Sequence, residues 1–387
     1  MGHISPVIVH EWIEETGGAE KVLEAFAGLL PDAEITCLWN DAQTRFASST
    51  VRQSPLAYTP LRRTKMLSMP FQPLMWHWVP GRYDFALIST HLFAHHARFF
   101  ESDPEMDKFI YVHTPARYIW TPELDPRGRG LAGAAARPVL RRLDRLGIRG
   151  NRSVVANSRF VADRIRATWG EEARVIHPPA DVTKIVETDW TASLTTAEAE
   201  LLDGLPAVFA FSVGRLVGYK GFDIVVDFAS RTGVPVVLAG AGPAENALRA
   251  QAARTGAPVT FVGRVSDALM FELYARSTAF LNFSVEDFGI TTVEALASGT
   301  PAIARNVGGA TEIIEDGVSG VLCDPATADL SALFERAAAL DRTAVVDRAR
   351  LFSAERFDTE ISAWIGLDPP DSRRDTDPVP LSTTEEL

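Results

Sequence analysis

Residues 281–312 read LNFSVEDFGITTVEALASGTPAIARNVGGATE and contain two carboxylates, Glu286 and Glu294, separated by seven residues. Between them, Phe288-Gly289-Ile290 marks the point where a strand-like apolar run gives way to a helical pattern. The carboxylates are therefore predicted to flank a helix N-terminus. Such an end presents unpaired backbone N–H groups and the positive end of the helix dipole, and Gly289 has no side chain to obstruct a ligand, so the turn is predicted to seat a diphosphate.

The two glutamates are predicted to have different partners. Glu286 is expected to face the hydroxyls of a bound sugar, and Glu294 is expected to accept hydrogen bonds from a ribose. The alternative is that both merely offset the helix dipole, an explanation that suffices for one glutamate and is weaker for a spaced pair.

Two cations are predicted at the mouth of the same domain, in the loop VGRLVGYKG of residues 213–221. Arg215 offers a planar fork and Lys220 a compact charge, and both suit the oxygens of a departing diphosphate. The alternative is a solvated loop with incidental charges, which would be preferred if the glutamate pair were missing.

The bulk composition indicates a globular protein with more than one domain. The chain has 387 residues, which exceeds the size at which one core usually stops growing. Apolar residues make up 46% and charged residues 23%, and no apolar run approaches the roughly 20 residues that span a bilayer. The first residues do not resemble a signal peptide, so we expect a cytoplasmic protein. A net charge of −12 argues against general nucleic-acid binding.

No metal ion, disulfide or cofactor is expected. Cys37 and Cys323 lie far apart in apolar surroundings and are expected to be buried. The sequence has no His-x-Glu or Cys-x-x-Cys pair, and its one Asp-x-Asp, Asp375 to Asp377, falls in the acidic tail. Gly17-Gly18 and Gly240-Ala241-Gly242 follow predicted strands but do not complete G-x-G-x-x-G, so a hydride-transfer enzyme is disfavoured.

Short β-type runs alternate with helical patterns, which predicts parallel sheets covered on both faces. One series of strands is predicted between residues 4 and 176, and a second between residues 208 and 322. Ligands of doubly wound folds bind beyond the carboxyl ends of the strands, so the cleft between the sheets is the expected active site. The predicted divisions are an N-terminal domain (1–187), a linker (188–205), a C-terminal domain (206–350), a final helix (351–366) and a disordered acidic tail (367–387).

Histidines of the first domain are predicted to have different roles. His113 ends the strand-like run FIYV and is expected to face the cleft, where it would donate to a sugar hydroxyl. As a lone histidine it would more often be structural, and that is the interpretation for His91, His95 and His96.

An arginine-rich segment interrupts the acidic chain. Residues 127–152 contain eight arginines against the single acid Asp144, and residues 66–78 are rich in Met, Phe and Trp. This composition suits contact with an anionic lipid or a lipid-diphosphate acceptor. A solvated helix beside a loop packed in the core explains it equally well.

Together these motifs resemble those of retaining glycosyltransferase family 4, which has the GT-B fold. The matches are E-x7-E at Glu286 and Glu294, G-R…K at Gly214, Arg215 and Lys220, and G-G-x-x-E at Gly308, Gly309 and Glu312. The stretches at 17–23, 111–120, 156–158 and 176–179 are similar to the mannosyltransferase-like branch that builds bacterial O-antigen. The resemblance covers roughly residues 4–366.

The resemblance implies an α/β protein with two Rossmann-like domains facing each other across a cleft, and a final helix that crosses back onto the first. The first domain would bind the acceptor. The implied roles are donor diphosphate binding for Arg215 and Lys220, sugar binding for Glu286, ribose binding for Glu294, a sugar hydroxyl contact for His113, backbone donors from Phe288, Gly289 and Ile290, and approach to the phosphates by Gly17 and Gly18. Two residues depart from the family's pattern: Gly221 stands where a bulkier or basic residue is often found, and Arg305 is the other. These departures leave the identity of the transferred sugar undetermined.

The expected function is metal-independent transfer of a hexosyl group with retention of configuration. GDP-mannose is the expected donor, on the branch resemblance alone. The expected acceptor is a glycan, a lipid-linked molecule or a small molecule, with peripheral contact to the inner face of an anionic membrane. Two alternatives stay open: a nucleotide-sugar epimerase on the same fold, and a non-catalytic glycan-assembly subunit.

Overall fold

The chain forms two parallel sheets with helices on both faces. The computed structural model describes residues 5–15, 17–122, 131–148 and 152–367, and the side chains of Met66 and of residues 131–135 are not described. The first sheet has the order β3-β2-β1-β4-β5-β6-β7 and the second has the order β10-β9-β8-β11-β12-β13. This confirms the predicted α/β class with two Rossmann-like units.

The strands are β1 (Pro6–His10), β2 (Glu34–Cys37), β3 (Val51–Gln53), β4 (Phe85–Thr90), β5 (Asp107–Val112), β6 (Arg152–Ala156), β7 (Arg174–Val175), β8 (Ala210–Val213), β9 (Val236–Ala239), β10 (Val259–Gly263), β11 (Ala279–Asn282), β12 (Ala302–Arg305) and β13 (Gly320–Cys323).

The helices are α1 (Gly18–Leu29), α2 (Lys65–Ser68), α3 (Gln72–Trp76), α4 (Arg117–Trp120), α5 (Leu131–Gly147), α6 (Arg159–Trp169), α7 (Val182–Glu187), α8 (Thr196–Asp203), α9 (Phe222–Thr232), α10 (Glu245–Thr255), α11 (Asp267–Arg276), α12 (Ile290–Ala297), α13 (Ala310–Ile313), α14 (Leu330–Ala338), α15 (Arg342–Arg350) and α16 (Ala354–Ile365). None of the helices in the described part of the chain has both the length and the apolar content required to cross a bilayer.

Central strands are apolar along their whole length because both of their faces are covered. Every residue of β1 (PVIVH) and of β9 (VVLA) is buried, as parallel sheets require. The edge strand β3, with sequence VRQ, has only one apolar residue, and no strand was predicted there. Edge strands are exposed on one side, so their composition gives a weaker signal.

The predicted linker at 188–205 contains ordered structure. A 3₁₀ turn spans 191–193, and α8 begins with a capping box in which the Thr195 hydroxyl and the Glu198 carboxylate each bind the other residue's backbone N–H. The segment packs on the second domain, where the ring of Trp190 lies 4.5 Å from that of Phe271. The sequence contains the signature of this helix start, Thr-x-x-Glu, which the prediction of a linker did not use.

The final helix returns to the first domain, as the fold class predicted. In α16, Phe357 lies 5.8 Å from the rings of both Phe26 and Tyr111, and Ile361 is fully buried in the same core. Of the predicted tail 367–387, only Leu367 lies within the described residues.

Candidate active site

A cavity of about 310 Å³ lies between the two sheets, at the carboxyl ends of their strands. In both sheets the strand order reverses at this point, next to β1 in the first and next to β8 in the second, which is where doubly wound folds bind ligands. Its charged and polar lining includes Lys21, His113 and Arg117 from the first domain and Lys220, Glu286 and Asp287 from the second.

A lysine and a glutamate form the centre of the second-domain wall. Lys220 Nζ lies 2.5 Å from Glu286 Oε1, which also accepts a 2.8 Å hydrogen bond from the Ser284 hydroxyl. Burial alone would raise the pKa of Glu286, but Lys220, Ser284 and Arg117 hold it below its ordinary value. Glu286 is therefore a carboxylate, and it aligns the lysine ammonium towards the cavity.

The turn at Gly289 opens α12 into the same cavity. Gly289 has φ of +108°, a conformation that residues with a side chain rarely adopt. Phe288, Gly289 and Ile290 all line the cavity. The first backbone N–H groups of α12 thus lie where an anion can approach them.

Gly308 and Gly309, the glycine pair of the G-G-x-x-E turn, pack against the backbone of this loop. A Cβ atom at Gly308 would lie 2.5 Å from the Glu286 carbonyl oxygen, and one at Gly309 would lie 2.1 Å from that of Phe288. The Gly309 N–H donates to the Glu286 carbonyl at 3.0 Å. Both positions must therefore be glycine for the Glu286 loop to sit where it does.

Glu294, the predicted ribose ligand, is bound by a lysine of the opposite domain. Lys21 Nζ lies 3.2 Å from Glu294 Oε1 and 3.8 Å from Asp181 Oδ2. Burial raises the pKa of Glu294, and Lys21 offsets part of that rise. Because Lys21 lines the cavity, its ion pair links Glu294 to the site.

The remaining predicted residues divide between two adjoining cavities. Arg215 is exposed, donates to the Tyr219 hydroxyl at 2.9 Å, and lines a second cavity of about 320 Å³ rather than the one that contains Lys220. Gly17 also lines this second cavity, whereas Gly18 lines both. Arg215 and Lys220 therefore line different cavities, which adjoin each other and share Gly18, Ala19 and Arg117.

A chain of hydrogen bonds anchors His113 in the first-domain wall. His113 Nε2 lies 2.8 Å from Ser89 Oγ, and the same oxygen lies 2.9 Å from Nδ1 of the buried His10. Burial lowers the pKa of both histidines to about 3, so their rings are neutral at pH 7. The Ser89 hydroxyl thus holds the ring of His113 in one orientation, and His10 in turn holds Ser89 in place.

A buried glutamate organises the loop beside this chain. Glu11 Oε1 accepts hydrogen bonds from the Thr90 hydroxyl and from the backbone N–H groups of His91, Leu92 and Ala94. Its Oε2 lies 3.2 Å from His91 Nδ1. His91, which was expected to be structural, also lines the second cavity.

Buried ion pairs join the two domains beneath the cleft, and sequence reasoning missed them. Asp287 binds Arg117 at 2.6 Å and Arg164 at 2.7 Å, both from the first domain. Its neighbour in sequence, Glu286, faces the cavity, so one loop serves both the site and the interface.

Glu312 forms a second junction between the domains. Its carboxylate accepts hydrogen bonds from the backbone N–H groups of Arg159 and Phe160 at the start of α6, and it lies 3.1 Å from His177 Nε2. The glutamate of the G-G-x-x-E turn is therefore an interdomain contact in this structure.

Comparison with known proteins agrees with this architecture. Residues 16–184 match the family model described as Glycosyltransferase Family 4, and residues 200–344 match that described as Glycosyl transferases group 1. The chain is similar to HepE of Anabaena, solved with UDP and glucose, with a TM-score of 0.68 and 18% identity over 94% of this chain and 100% of that one. It is also similar to WaaG, a glycosyltransferase involved in lipopolysaccharide biosynthesis, with a TM-score of 0.60 and 15% identity over 90% of this chain and 95% of that one.

Among curated sequences, the chain is 36% identical over 123 residues to O-antigen chain mannosyltransferase C of Escherichia coli, covering 30% of this chain and 33% of that one. It is 34% identical over 195 residues to D-inositol 3-phosphate glycosyltransferase of Mycobacterium sp. (strain JLS), covering 46% of this chain and 43% of that one. These alignments span a third to less than half of the relatives' length. Since the two family models together cover both domains, the chain belongs to the GT-B glycosyltransferases of group 1 and family 4.

Proposed function

We propose that this protein transfers a hexosyl group from a nucleotide sugar to an acceptor hydroxyl with retention of configuration. The observation that carries the proposal is the Lys220–Glu286 pair, which shares one cavity with the start of α12 and with His113 of the facing domain. A cation and a helix N-terminus suit a diphosphate, and a carboxylate with a neutral imidazole suits sugar hydroxyls.

The proposed chemistry requires no enzyme nucleophile. The acceptor hydroxyl attacks the anomeric carbon from the face that the diphosphate leaves, and a phosphate oxygen takes its proton. Lys220 and the N–H groups of α12 stabilise the negative charge that develops on the leaving group. Because the pKa of His113 is about 3, its ring acts as a neutral hydrogen-bonding partner of the sugar at pH 7.

Charge neutralisation in this proposal comes from the protein. Lys220, Lys21 and Arg117 line the cavity, each beside a carboxylate, and the proposed diphosphate would bind among these three cationic side chains without a metal ion. GDP-mannose is the proposed donor. The similarity to a mannosyltransferase of Escherichia coli supports a hexosyl donor, and the UDP complex of HepE supports a nucleoside diphosphate.

A donor screen tests this assignment. Thermal shifts of the full-length protein with GDP-, UDP- and ADP-sugars should show one nucleotide class raising the melting temperature, because a ligand bound by the folded state stabilises it. Turnover with that donor should not require added Mg²⁺ or Mn²⁺. Product formation by NMR with donor alone would instead indicate the epimerase, and the lack of any donor binding by calorimetry would indicate a non-catalytic subunit.

We also propose that the first domain contacts an anionic membrane on the cytoplasmic side. An exposed apolar stripe, Leu67, Phe71, Leu74 and Trp78, follows α2 and α3 and is between 47% and 70% exposed. Both α3 and α5 pack against the 3₁₀ turn at 94–96, and Arg142 and Arg145 of α5 are exposed. Apolar residues flanked by arginines suit an anionic lipid surface.

Vesicle sedimentation tests the membrane contact. The protein should sediment with phosphatidylglycerol vesicles and remain in solution with phosphatidylcholine vesicles. Trp78→Glu should weaken the sedimentation, whereas Val208→Glu, a change at an apolar residue of the second domain that is 55% exposed, should not. Equal sedimentation of both variants would contradict the proposal.

A further inference from the structure

Three buried side chains outside the cleft lie together in the arrangement of a metal site. His95 and His96 come from the 3₁₀ turn after β4, and Asp144 comes from α5. Their potential ligand atoms lie within 4.8 Å of one another, and the three residues are 1%, 4% and 0% exposed.

The separation of two of these atoms suits a shared ion. His95 Nε2 lies 3.4 Å from Asp144 Oδ1. Two ligands, each about 2.0–2.1 Å from a tetrahedral Zn²⁺, are about 3.4 Å apart.

Two of the atoms have no hydrogen-bond partner within the described residues. These are Nε2 of His96 and Oδ1 of Asp144, both fully shielded from solvent. Buried polar atoms are nearly always paired, so each such atom requires an explanation.

The hydrogen bonds around His95 identify the position that a cation would take. His95 Nε2 lies 3.1 Å from the Asp144 carbonyl oxygen and 3.4 Å from the carboxylate Oδ1, and because both oxygens accept, Nε2 donates its proton towards them in the metal-free protein. A divalent cation would replace that proton, and Nδ1 would then carry the ring proton and donate to the Thr90 oxygen at 3.4 Å. The Thr90 oxygen can accept because its own hydroxyl donates to Glu11 at 2.8 Å.

The neighbouring residues hold the three side chains in place. Asp144 Oδ2 accepts a 2.6 Å hydrogen bond from each of the Trp120 and Trp169 indoles, which fixes Oδ1 towards the histidines. A Cβ atom on Gly147 would lie 2.5 Å from the His96 ring and 2.6 Å from the His95 ring, so this glycine makes the space for both. Partners of this kind typically orient metal ligands.

We propose that His95, His96 and Asp144 bind a divalent transition-metal ion, with Zn²⁺ the best match to two imidazoles and one carboxylate. The ion would join the 94–96 turn to α5, and through the two indoles to α4 and α6. Because α4 begins with Arg117, which lines the cleft, the ion would stabilise the first-domain wall without touching the donor. The expectation that the chain binds no metal rested on spacing motifs, and these three residues form none.

Metal analysis of the untagged full-length protein, purified without chelator, tests the proposal. The wild-type protein should contain about one zinc per chain by plasma mass spectrometry, and Co²⁺ added to the apoprotein should give the visible absorption of a tetrahedral site. His96→Ala should lose both signals. His77→Ala is the matched control, because this histidine is exposed and its ring lies 6.1 Å from that of His96.

Chelation provides a measurement that does not depend on a variant that folds. EDTA should lower the melting temperature of the wild type and of His77→Ala, and it should leave His96→Ala unchanged. A wild-type protein that contains no zinc and gives no Co²⁺ spectrum would overturn the proposal. Retention of stoichiometric zinc by His96→Ala would overturn it as well, because the ion would then be bound elsewhere.

Discussion

The second-domain wall of the cleft comes mainly from one continuous stretch, residues 286–291, whereas the first-domain wall is assembled from segments that follow β1, β5, β6 and β7. The loop carries charge, because it combines Glu286 and its partner Lys220 with the start of α12. The strand ends carry neutral histidines that are aligned by a serine. Lys21 and Arg117 also belong to the first-domain side, but each is paired with a carboxylate of the second domain. We therefore expect the loop of Glu286 and Lys220, the charged wall, to make ionic contacts to the donor, and the histidine-bearing strand ends, the neutral wall, to supply oriented hydrogen bonds.

The charged wall is expected to have the largest effect on activity. Lys220→Ala should lower kcat about 10²- to 10³-fold, since removing one preorganised donor to a developing anion costs roughly 3–4 kcal/mol in the barrier. Steady-state kinetics with the donor found by the thermal-shift screen measure the loss. Lys184→Ala, which removes an exposed lysine of α7, is the control and should keep wild-type turnover. Near-normal turnover of Lys220→Ala would remove this residue from the mechanism.

The interface beneath the walls is expected to dominate stability. Asp287→Ala leaves Arg164 without its 2.7 Å partner, and the Arg164 side chain is only 8% exposed. An uncompensated buried charge costs about 3 kcal/mol, so the free energy of unfolding should fall by that amount. X-ray scattering should show a larger radius of gyration, because one of the junctions that hold the cleft closed is lost while the Glu312 junction remains.

The exposed pair of Asp227 with Arg231 provides the control for this variant. Their side chains are 50% and 42% exposed, so Asp227→Ala should change stability by less than about 1 kcal/mol. If the two aspartate variants were equally stable, the buried pair would not be what holds the domains together.

The neutral wall is expected to make stability depend on pH. The pKa of His10 and of His113 is about 3 in the folded protein and 6.5 when unfolded, so between these values the unfolded chain binds more protons. Stability is therefore complete above pH 6.5 and is lost as the pH falls, by about 2 kcal/mol per histidine at pH 5. Urea unfolding at pH 7 and pH 5 measures this loss. The difference should shrink in His10→Asn, and an unchanged difference would show that His10 is not held neutral.

The sequence predicted the charged wall well because its residues are close together in the chain. Glu286, Gly289 and Glu294 lie within one strand–turn–helix unit, so their spacing alone indicated a ligand site. The alternation of strands and helices likewise predicted both sheets. The spacing did not indicate how the two cations of one loop divide, since Lys220 lines one cavity and Arg215 lines the adjoining one.

The neutral wall and the interface depend on contacts between distant residues. Ser89 is 79 residues from His10, and Asp287 is 123 residues from Arg164, so neither pair forms a local pattern. Each of these side chains also occurs commonly without any function, for example a serine within a strand or an aspartate on the surface. Only the topology, which brings the ends of β1, β4 and β5 to one edge, places them together.

Ser89→Ala tests whether this assembled wall matters to catalysis, and its effect is expected to be the smallest. The change removes the oxygen that both His10 Nδ1 and His113 Nε2 contact, so the His113 ring loses its anchor. A lost hydrogen bond of this kind is worth about 1 kcal/mol, and kcat should fall about five- to tenfold while the KM of the donor stays unchanged. Ser212→Ala is the control, because this serine is buried on β8 and its hydroxyl donates only to the Leu281 carbonyl. If both serine variants lost stability but neither lost kcat, His113 would be oriented by its packing rather than by Ser89, and the two walls would not divide the work.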